Sequence, residues 1–238
     1  MTYKAVLQIP TGGMNNVFLL RGKEGNVLVD TGPPGKADLI LARLAEHGVA
    51  PRDVHLILIT HGHTDHFGSA AVLRQRTGAP VAVHALDVEA IRRGTNPAET
   101  LKPTYWMVAL MMRIPGVFGE GHAPPFEPDI VFEKGWRLEE CRGAGEVIPT
   151  PGHTPGSVSV YLESGEAIVG DLVMSGFLQL SRRAGRPLFI WDVKHWRASL
   201  RRLVDLSPHI IHATHGGPFQ VKDLARLIGA QLSGEKNR

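Results

Sequence analysis

The chain is poor in cysteine: Cys141 is the only one among 238 residues. One thiol forms no internal disulfide, and no cysteine cluster is present to build a thiolate metal site. We read Cys141 as a half-buried structural thiol. Long apolar runs are also missing. The most apolar stretch, "YWMVALMM" at 105–112, is far short of the roughly 20 residues that span a bilayer. The first residues, "MTYKAVLQIP", lack the charged, apolar and small-residue segments of a secretory signal. The expectation is a cytoplasmic protein with no membrane partner. Charge of one sign is scarce too, with a net charge of only +3. The basic residues are scattered, mostly as arginine, with no dense block of the kind that binds nucleic acid. Hydrophobic residues make up 43% and charged residues 21%, the usual balance of a soluble globular chain long enough to bury a core.

What the chain does have is histidine in one place. "THGHTDHFG" at 60–68 carries His61, His63, Asp65 and His66 directly after the apolar run "VHLILIT". Around it, strand-like segments (5–10, 16–22, one within the turn–strand–loop of 24–35, 54–60, 80–85, 145–150, 157–164, 166–170, 209–214) alternate with helix-like ones (36–49, 68–78, 86–94, 191–206, 220–232). That alternation predicts a layered α/β architecture. In "KADLILARLAEHGV" the buried stripe is expected at Leu39, Leu41, Leu44 and Ala45. "DIVFEKGWRLEE" at 129–140 reads as a hairpin turning at Lys134–Gly135. Residues 94–128 interrupt the rhythm with six prolines and the aromatic, Met-rich stretch.

Five acidic or histidine positions follow the ends of apolar strands: Asp30, His61, His153, Asp171 and His215. Sites in open α/β folds form outside the carboxyl ends of strands, so strands lying side by side would bring these residues to one edge. Imidazole and carboxylate suit zinc and related first-row metals. His61 and His63 share a face on extended backbone, and Asp65 and His66 can face a second direction. The loop can thus serve two ions, with His153, His215 and a bridging Asp171 completing the sets. Two metals about 3.5–4 Å apart hold and activate a hydroxide between them. Asp30 is expected behind the ligands, accepting hydrogen bonds from their loop. Three imidazoles and a carboxylate crowded together without a cation would suffer desolvation and mutual repulsion.

These motifs resemble the metallo-β-lactamase superfamily. "HGHTDH" has its H-x-H-x-D-H pattern, and "PGHTPGS", "GD" at 170–171 and "THGG" at 214–217 follow in its order. The resemblance covers the chain outside 94–128. It implies a four-layered αβ/βα sandwich, here with a helical insert at about 94–128, as a single metallo-hydrolase domain over 1–238. It also implies one metal at His61, His63 and His153 and another at Asp65, His66 and His215, with Asp171 bridging. The cofactor would be two Zn2+, with iron or manganese able to use the same donors. A bridging Asp171 separates the chain from the lactamase classes that lack it. With 23 residues after His215, the helical domain of glyoxalase II is not expected. Lactonases and esterases of the superfamily fit best.

The implied reaction is hydrolysis of an ester, thioester or lactone of a small-molecule substrate by a metal-bridged hydroxide, with Asp65 orienting it and handling a proton. Tyr105 is a candidate oxyanion donor and, with Trp106, a candidate pocket residue; packing of this stretch in a core is the competing reading. Arg182, Arg183 and Arg186 in "SRRAGR" are candidates to attract an anionic substrate. Competing functions are a mononuclear iron persulfide dioxygenase, a phosphodiesterase or nuclease, and a non-catalytic metal-stabilised module. A homodimer is compatible with the sequence.

Overall fold

The computed structural model describes residues 6–22, 25–114, 121–138, 145–176 and 183–235. Cys141 and Arg182 lie outside these residues. The elements are β1 (Val6–Pro10), β2 (Asn16–Arg21), β3 (Asn26–Val29), α1 (Ala37–Glu46), β4 (Val54–Leu58), α2 (Thr64–Phe67), α3 (Ala70–Thr77), β5 (Val81–His84), α4 (Val88–Arg93), α5 (Trp106–Met111) and β6 (Ile130–Phe132). There follow β7 (Trp136–Arg137), β8 (Glu146–Pro149), β9 (Val158–Tyr161), β10 (Glu166–Ile168), β11 (Met174–Ser175), β12 (Ala184–Gly185), α6 (Val193–Asp205), β13 (Ile210–His212) and α7 (Val221–Glu235).

Strands β1 to β6 form one sheet in sequence order, and β13-β10-β9-β8-β7 form a second. The β-branched and leucine residues of the first sheet alternate between its two faces, as strand geometry requires. Phe18, Leu20, Val29, Leu56 and Leu58 point inward and meet Val147, Val158, Val160 and Ile168 of the second sheet. Val17, Leu19, Leu28 and Ile57 point outward onto Ile40, Leu44, Leu73 and Ile91 of the helices. On the far side, Trp196, Leu200 and Leu203 of α6 and Leu224 of α7 cover Ala167 and Ile211. The order is helices, sheet, sheet, helices, which is the αβ/βα sandwich expected.

Two local readings change. In α1 the buried residues are Ala37, Ile40, Leu41 and Leu44, an i, i+3, i+4, i+7 stripe in which Leu39 sits at the margin. The segment 129–140 is no hairpin. Strand β6 pairs in parallel with β5, whereas β7 pairs antiparallel with β8. Lys134–Gly135 is therefore the crossing from one sheet to the other. Two short strands around a Gly carry the same local signal whether they pair with each other or with different neighbours, and tertiary pairing decides. In the insert, the described helical content is α5 and one 3₁₀ turn at Ala98–Thr100.

The directions of the strands place the site. Strands β3 and β4 are parallel, and so are β10 and β13. Strand β8 runs with β10 because both are antiparallel to β9. The segments after β3, β4, β8, β10 and β13 thus emerge at one edge. There the two sheets are stitched by Val158 N–H to the Thr60 carbonyl (2.9 Å) and Asn16 N–H to the Thr214 carbonyl (2.9 Å).

Asp129 ties the parallel edge of the first sheet. It accepts from Val81 N–H (2.9 Å) and Arg74 Nε (2.7 Å), and the Arg74 guanidinium holds its carboxyl below the usual range. Asp129→Asn is expected to cost about 1 kcal/mol, below the roughly 1.5–3 kcal/mol of a buried hydrogen bond to a charged acceptor because the half-exposed Arg74 is screened by solvent. The depressed native pKa puts this stabilisation above the unfolded carboxylate's pKa, and it is lost as pH falls through the native value. Thermal unfolding from pH 7 downward should show the wild-type advantage shrinking in acid. An advantage that grows in acid would contradict this assignment.

Candidate metal centre

Seven side chains converge at the edge in three overlapping groups: His61, His63 and His153; His61, His66 and Asp171; and Asp65, His66 and His215. Within each group the donor atoms lie within 4.8 Å of one another. His61, His63, His66, His153 and Asp171 are buried, and Asp65 and His215 are partly exposed.

Each imidazole is aimed by what its other nitrogen does. His153 Nδ1 donates to the Phe189 carbonyl (2.8 Å), and His215 Nδ1 to the Met14 carbonyl (3.2 Å). His66 Nδ1 donates to Asp30 Oδ2 (2.8 Å). Thr60 Oγ1 gives its proton to Asp30 Oδ2 (2.8 Å), so it accepts from His61 Nδ1 (3.1 Å). Thr100 Oγ1 gives its proton to the Pro97 carbonyl (2.6 Å), so it accepts from His63 Nε2 (2.7 Å). In the neutral ring that a metal requires, the one proton is thereby committed outward and the lone pair faces inward. His61 Nε2, His66 Nε2 and Asp171 Oδ1 are buried without a hydrogen-bond partner. His63 Nδ1 and His153 Nε2 face each other at 2.9 Å. Two bare lone pairs at that distance repel, and a cation between them removes the repulsion. Orphaned buried acceptors on nitrogen and oxygen are the donor set of a first-row metal site.

The two sides of the cluster differ electrostatically. Burial pushes His61 well below its ordinary pKa, with His66 and His153 adding to the shift, and burial plus His153 takes His63 down to about 3. Burial lowers His153 as well. On the other side burial is outweighed by charge: Asp171 carries His215 up to about 10, and Asp30, Asp171 and Asp65 hold His66 well above its usual value. Burial acts to raise Asp171, but His215 and His66 keep it well below the carboxylate range. One side is a set of neutral imidazoles; the other is compensated by carboxylates.

Asp30 lies behind His66 and Thr60 and accepts from both. It is fully buried with φ 63°, and it also accepts from Thr60 N–H (2.8 Å). Aspartate is among the few residues that tolerate this left-handed backbone. Several supporting residues escaped the sequence reading. Asp87 joins the loops of His61 and His153: its Oδ2 accepts from Gly62 N–H (2.7 Å) and Thr154 Oγ1 (2.6 Å), and its Oδ1 from Gly156 N–H (2.9 Å). A Cβ at Gly156 would lie 2.6 Å from the Asp87 carboxyl carbon, so glycine is what lets the loop reach it. In the sequence Asp87 looks like a helix cap, and nothing local marks its long-range partners. Asn15 Nδ2 donates to Asp65 Oδ2 (3.1 Å) and to the Asp65 carbonyl (3.2 Å). A polar Asn pair opening an otherwise apolar strand was the available signal.

Tyr105 and Trp106 belong to none of the three donor groups. The Tyr105 hydroxyl donates to the Arg186 carbonyl at 3.3 Å, and Trp106 is 76% exposed. The stretch is not a core: only Val108 of α5 is buried.

Residues 10–215 match the family model of the metallo-β-lactamase superfamily, and the chain belongs to that superfamily. Among curated proteins it is 27% identical over 165 residues to a probable metallo-hydrolase of Methanocaldococcus jannaschii, covering 69% of each chain. It is 32% identical over 178 residues to a hydroxyacylglutathione hydrolase of Anaeromyxobacter dehalogenans, covering 74% of this chain and 52% of that one. Among solved structures, the MIM-1 metallo-β-lactamase of Novosphingobium pentaromativorans superposes with a TM-score of 0.71 at 23% identity, over 98% of this chain and 88% of that one. That last likeness establishes the fold. Among the described residues no helix is long and apolar enough to cross a membrane.

Asp30→Asn leaves one acceptor oxygen where two are used: either His66 and Thr60 Oγ1 or the Thr60 N–H then faces an amide NH2. Zinc affinity measured by calorimetry is expected to fall about 10- to 100-fold, the usual effect of losing a partner behind a ligand. Unchanged affinity would mean that Asp30 does not orient His66.

Proposed function

We propose that the chain is a dinuclear metal-dependent hydrolase cleaving an ester, thioester or lactone of a small molecule. One observation carries the reading: five imidazoles have their protons drawn outward and their lone pairs turned onto a common space beside Asp171. His61, His63 and His153 would hold one ion; Asp65, His66 and His215 would hold the other; Asp171 lies within reach of both. Zinc suits these donors, and iron or manganese can use them. When bound, two such ions activate a water and polarise a carbonyl.

The chain's own residues supply the rest. Asp65 is the most exposed of the seven, with 41% of its side chain open. Asn15 Nδ2 holds its Oδ2 (3.1 Å). That position lets Asp65 orient an attacking water and take its proton. Asp30 and Asp87 hold the ligand loops without touching substrate. Residues of the insert brace the same loop: Asn96 Oδ1 accepts from Thr64 N–H (2.7 Å), and Thr100 holds His63. The exposed Trp106, Met107 and Leu110 of α5 give an apolar surface suited to an acyl chain. The similarity to a hydroxyacylglutathione hydrolase supports hydrolysis as the reaction class, and the absence of a dense basic stripe in the sequence disfavours a nucleic-acid substrate.

The test is elemental analysis of protein purified without added metal, followed by ester, thioester and lactone panels. Close to two zinc ions per chain with turnover is the expected result. About one iron with oxygen consumption on persulfides would replace this reading by the dioxygenase. Asp171→Ala and His61→Ala should each lower kcat/KM by about 1,000-fold or more, the scale of losing an essential electrostatic group, with an unchanged far-ultraviolet circular dichroism spectrum. Normal turnover in either variant would falsify the dinuclear proposal.

A further inference from the structure

A second cavity lies beside the metal centre and contains none of the seven donors. It has a volume of about 290 Å3 and is lined by Lys102, Pro103, Thr104, Arg186, Ile190, Trp191, Val193 and Trp196. Two segments far apart in sequence build it. Residues 102–104 of the insert run antiparallel to 188–190, with Ile190 N–H on the Lys102 carbonyl (3.0 Å), Thr104 N–H on the Leu188 carbonyl (2.8 Å) and a bridge between Pro103 and Phe189.

Its chemistry is specific. Pro103, Ile190, Val193 and the Trp191 indole make apolar walls, and two cations stand among them. Lys102 Nζ donates one hydrogen bond to the Trp191 carbonyl (2.8 Å), which leaves its other protons to give. The Arg186 guanidinium lies 5.8 Å from the centre of the Tyr105 ring. Among the described residues neither cation is ion-paired with a carboxylate. Two cations without a counter-charge beside an apolar wall match an organic anion and disfavour a neutral or cationic guest. We propose that this cavity binds a small organic carboxylate with a flat apolar body, its anionic head on Lys102 and Arg186 and its body against Trp191.

The wall of the cavity is shared with the metal centre. Trp191 N–H donates to the His153 carbonyl (3.2 Å), and the Phe189 carbonyl accepts from His153 Nδ1 (2.8 Å). A guest on Trp191 therefore sits against the segment that aims a metal ligand. The carboxylate is either part of a substrate reaching in from the metal centre or a separate effector. The head group chemistry is the same in both cases.

Calorimetry with phenylacetate and its neutral twin phenylacetamide tests the proposal on the metal-loaded protein, and needs no turnover. The acid is expected to bind at least tenfold more tightly than the amide. The double variant Lys102→Ala/Arg186→Ala, whose side chains are both exposed, should lose at least tenfold in affinity for the acid and little for the amide. Equal binding of acid and amide, or acid binding unchanged in the double variant, would overturn the proposal; the second result would put the anion on the metal ions. If an ester is turned over, competitive inhibition by phenylacetate assigns the cavity to the substrate, and mixed inhibition assigns it to an effector. Failure of every ester panel would sink the hydrolase reading and leave this binding result standing.

Discussion

The structure depends on one constraint: each inward lone pair exists only because the opposite nitrogen of the same ring has found an acceptor. An imidazole free to turn would present either tautomer to the centre, and five free rings would not agree. The acceptors come from everywhere in the fold. Two are backbone carbonyls, at Phe189 and Met14, one is the Asp30 carboxylate, and two are hydroxyls whose own protons are already taken. The same acceptors explain otherwise odd local features. Asp30 has a left-handed backbone where β3 ends, and the insert contributes Thr100 from outside both sheets. A buried polar network is favourable only when its members are satisfied. Three buried atoms of the centre itself, on His61, His66 and Asp171, are left without a partner, and among the described residues the others lie outside it, on Thr104, Trp136 and His212.

Electrostatics divides the centre in a way that matters for its chemistry. The His61, His63 and His153 side is neutral because burial makes protonation costly. The His66 and His215 side is crowded with carboxylates that offset the same burial. Asp171 lies between them and faces both, with its oxygens 3.4 Å from His66 Nε2, 3.7 Å from His153 Nε2 and 3.3 Å from His215 Nε2. An asymmetric centre of this kind can treat the two ends of a scissile bond differently.

Much of this was legible in the chain. The seven donors stand in short motifs after apolar strands, and strand-end convergence is a rule of α/β architecture. The layered α/β architecture followed from the alternation of strand-like with helix-like segments, and the four-layered sandwich from the resemblance. What stayed hidden was long-range. Asp87 and Thr100 carry no local signature and Asn15 only that of a polar pair before an apolar strand, because their partners lie 25 to 69, 37 and 50 residues away. The supposed hairpin at 129–140 failed for the same reason: a turn residue shows that the chain changes direction, and says nothing about which sheet receives it. The phase of α1 was off because leucine and isoleucine occupy both its buried and its marginal positions.

The stitch between Asn16 and Thr214 joins residues 198 positions apart, and Met14 reaches His215 over 201. Contacts of such separation close the longest loops in the chain and are the costliest in closure entropy. The loop between β1 and β2 thus works as a latch rather than as a foundation. Loosening it opens the centre from the His215 side while the cores on either side of each sheet stay intact, so local opening of the site is separable from melting of the sandwich.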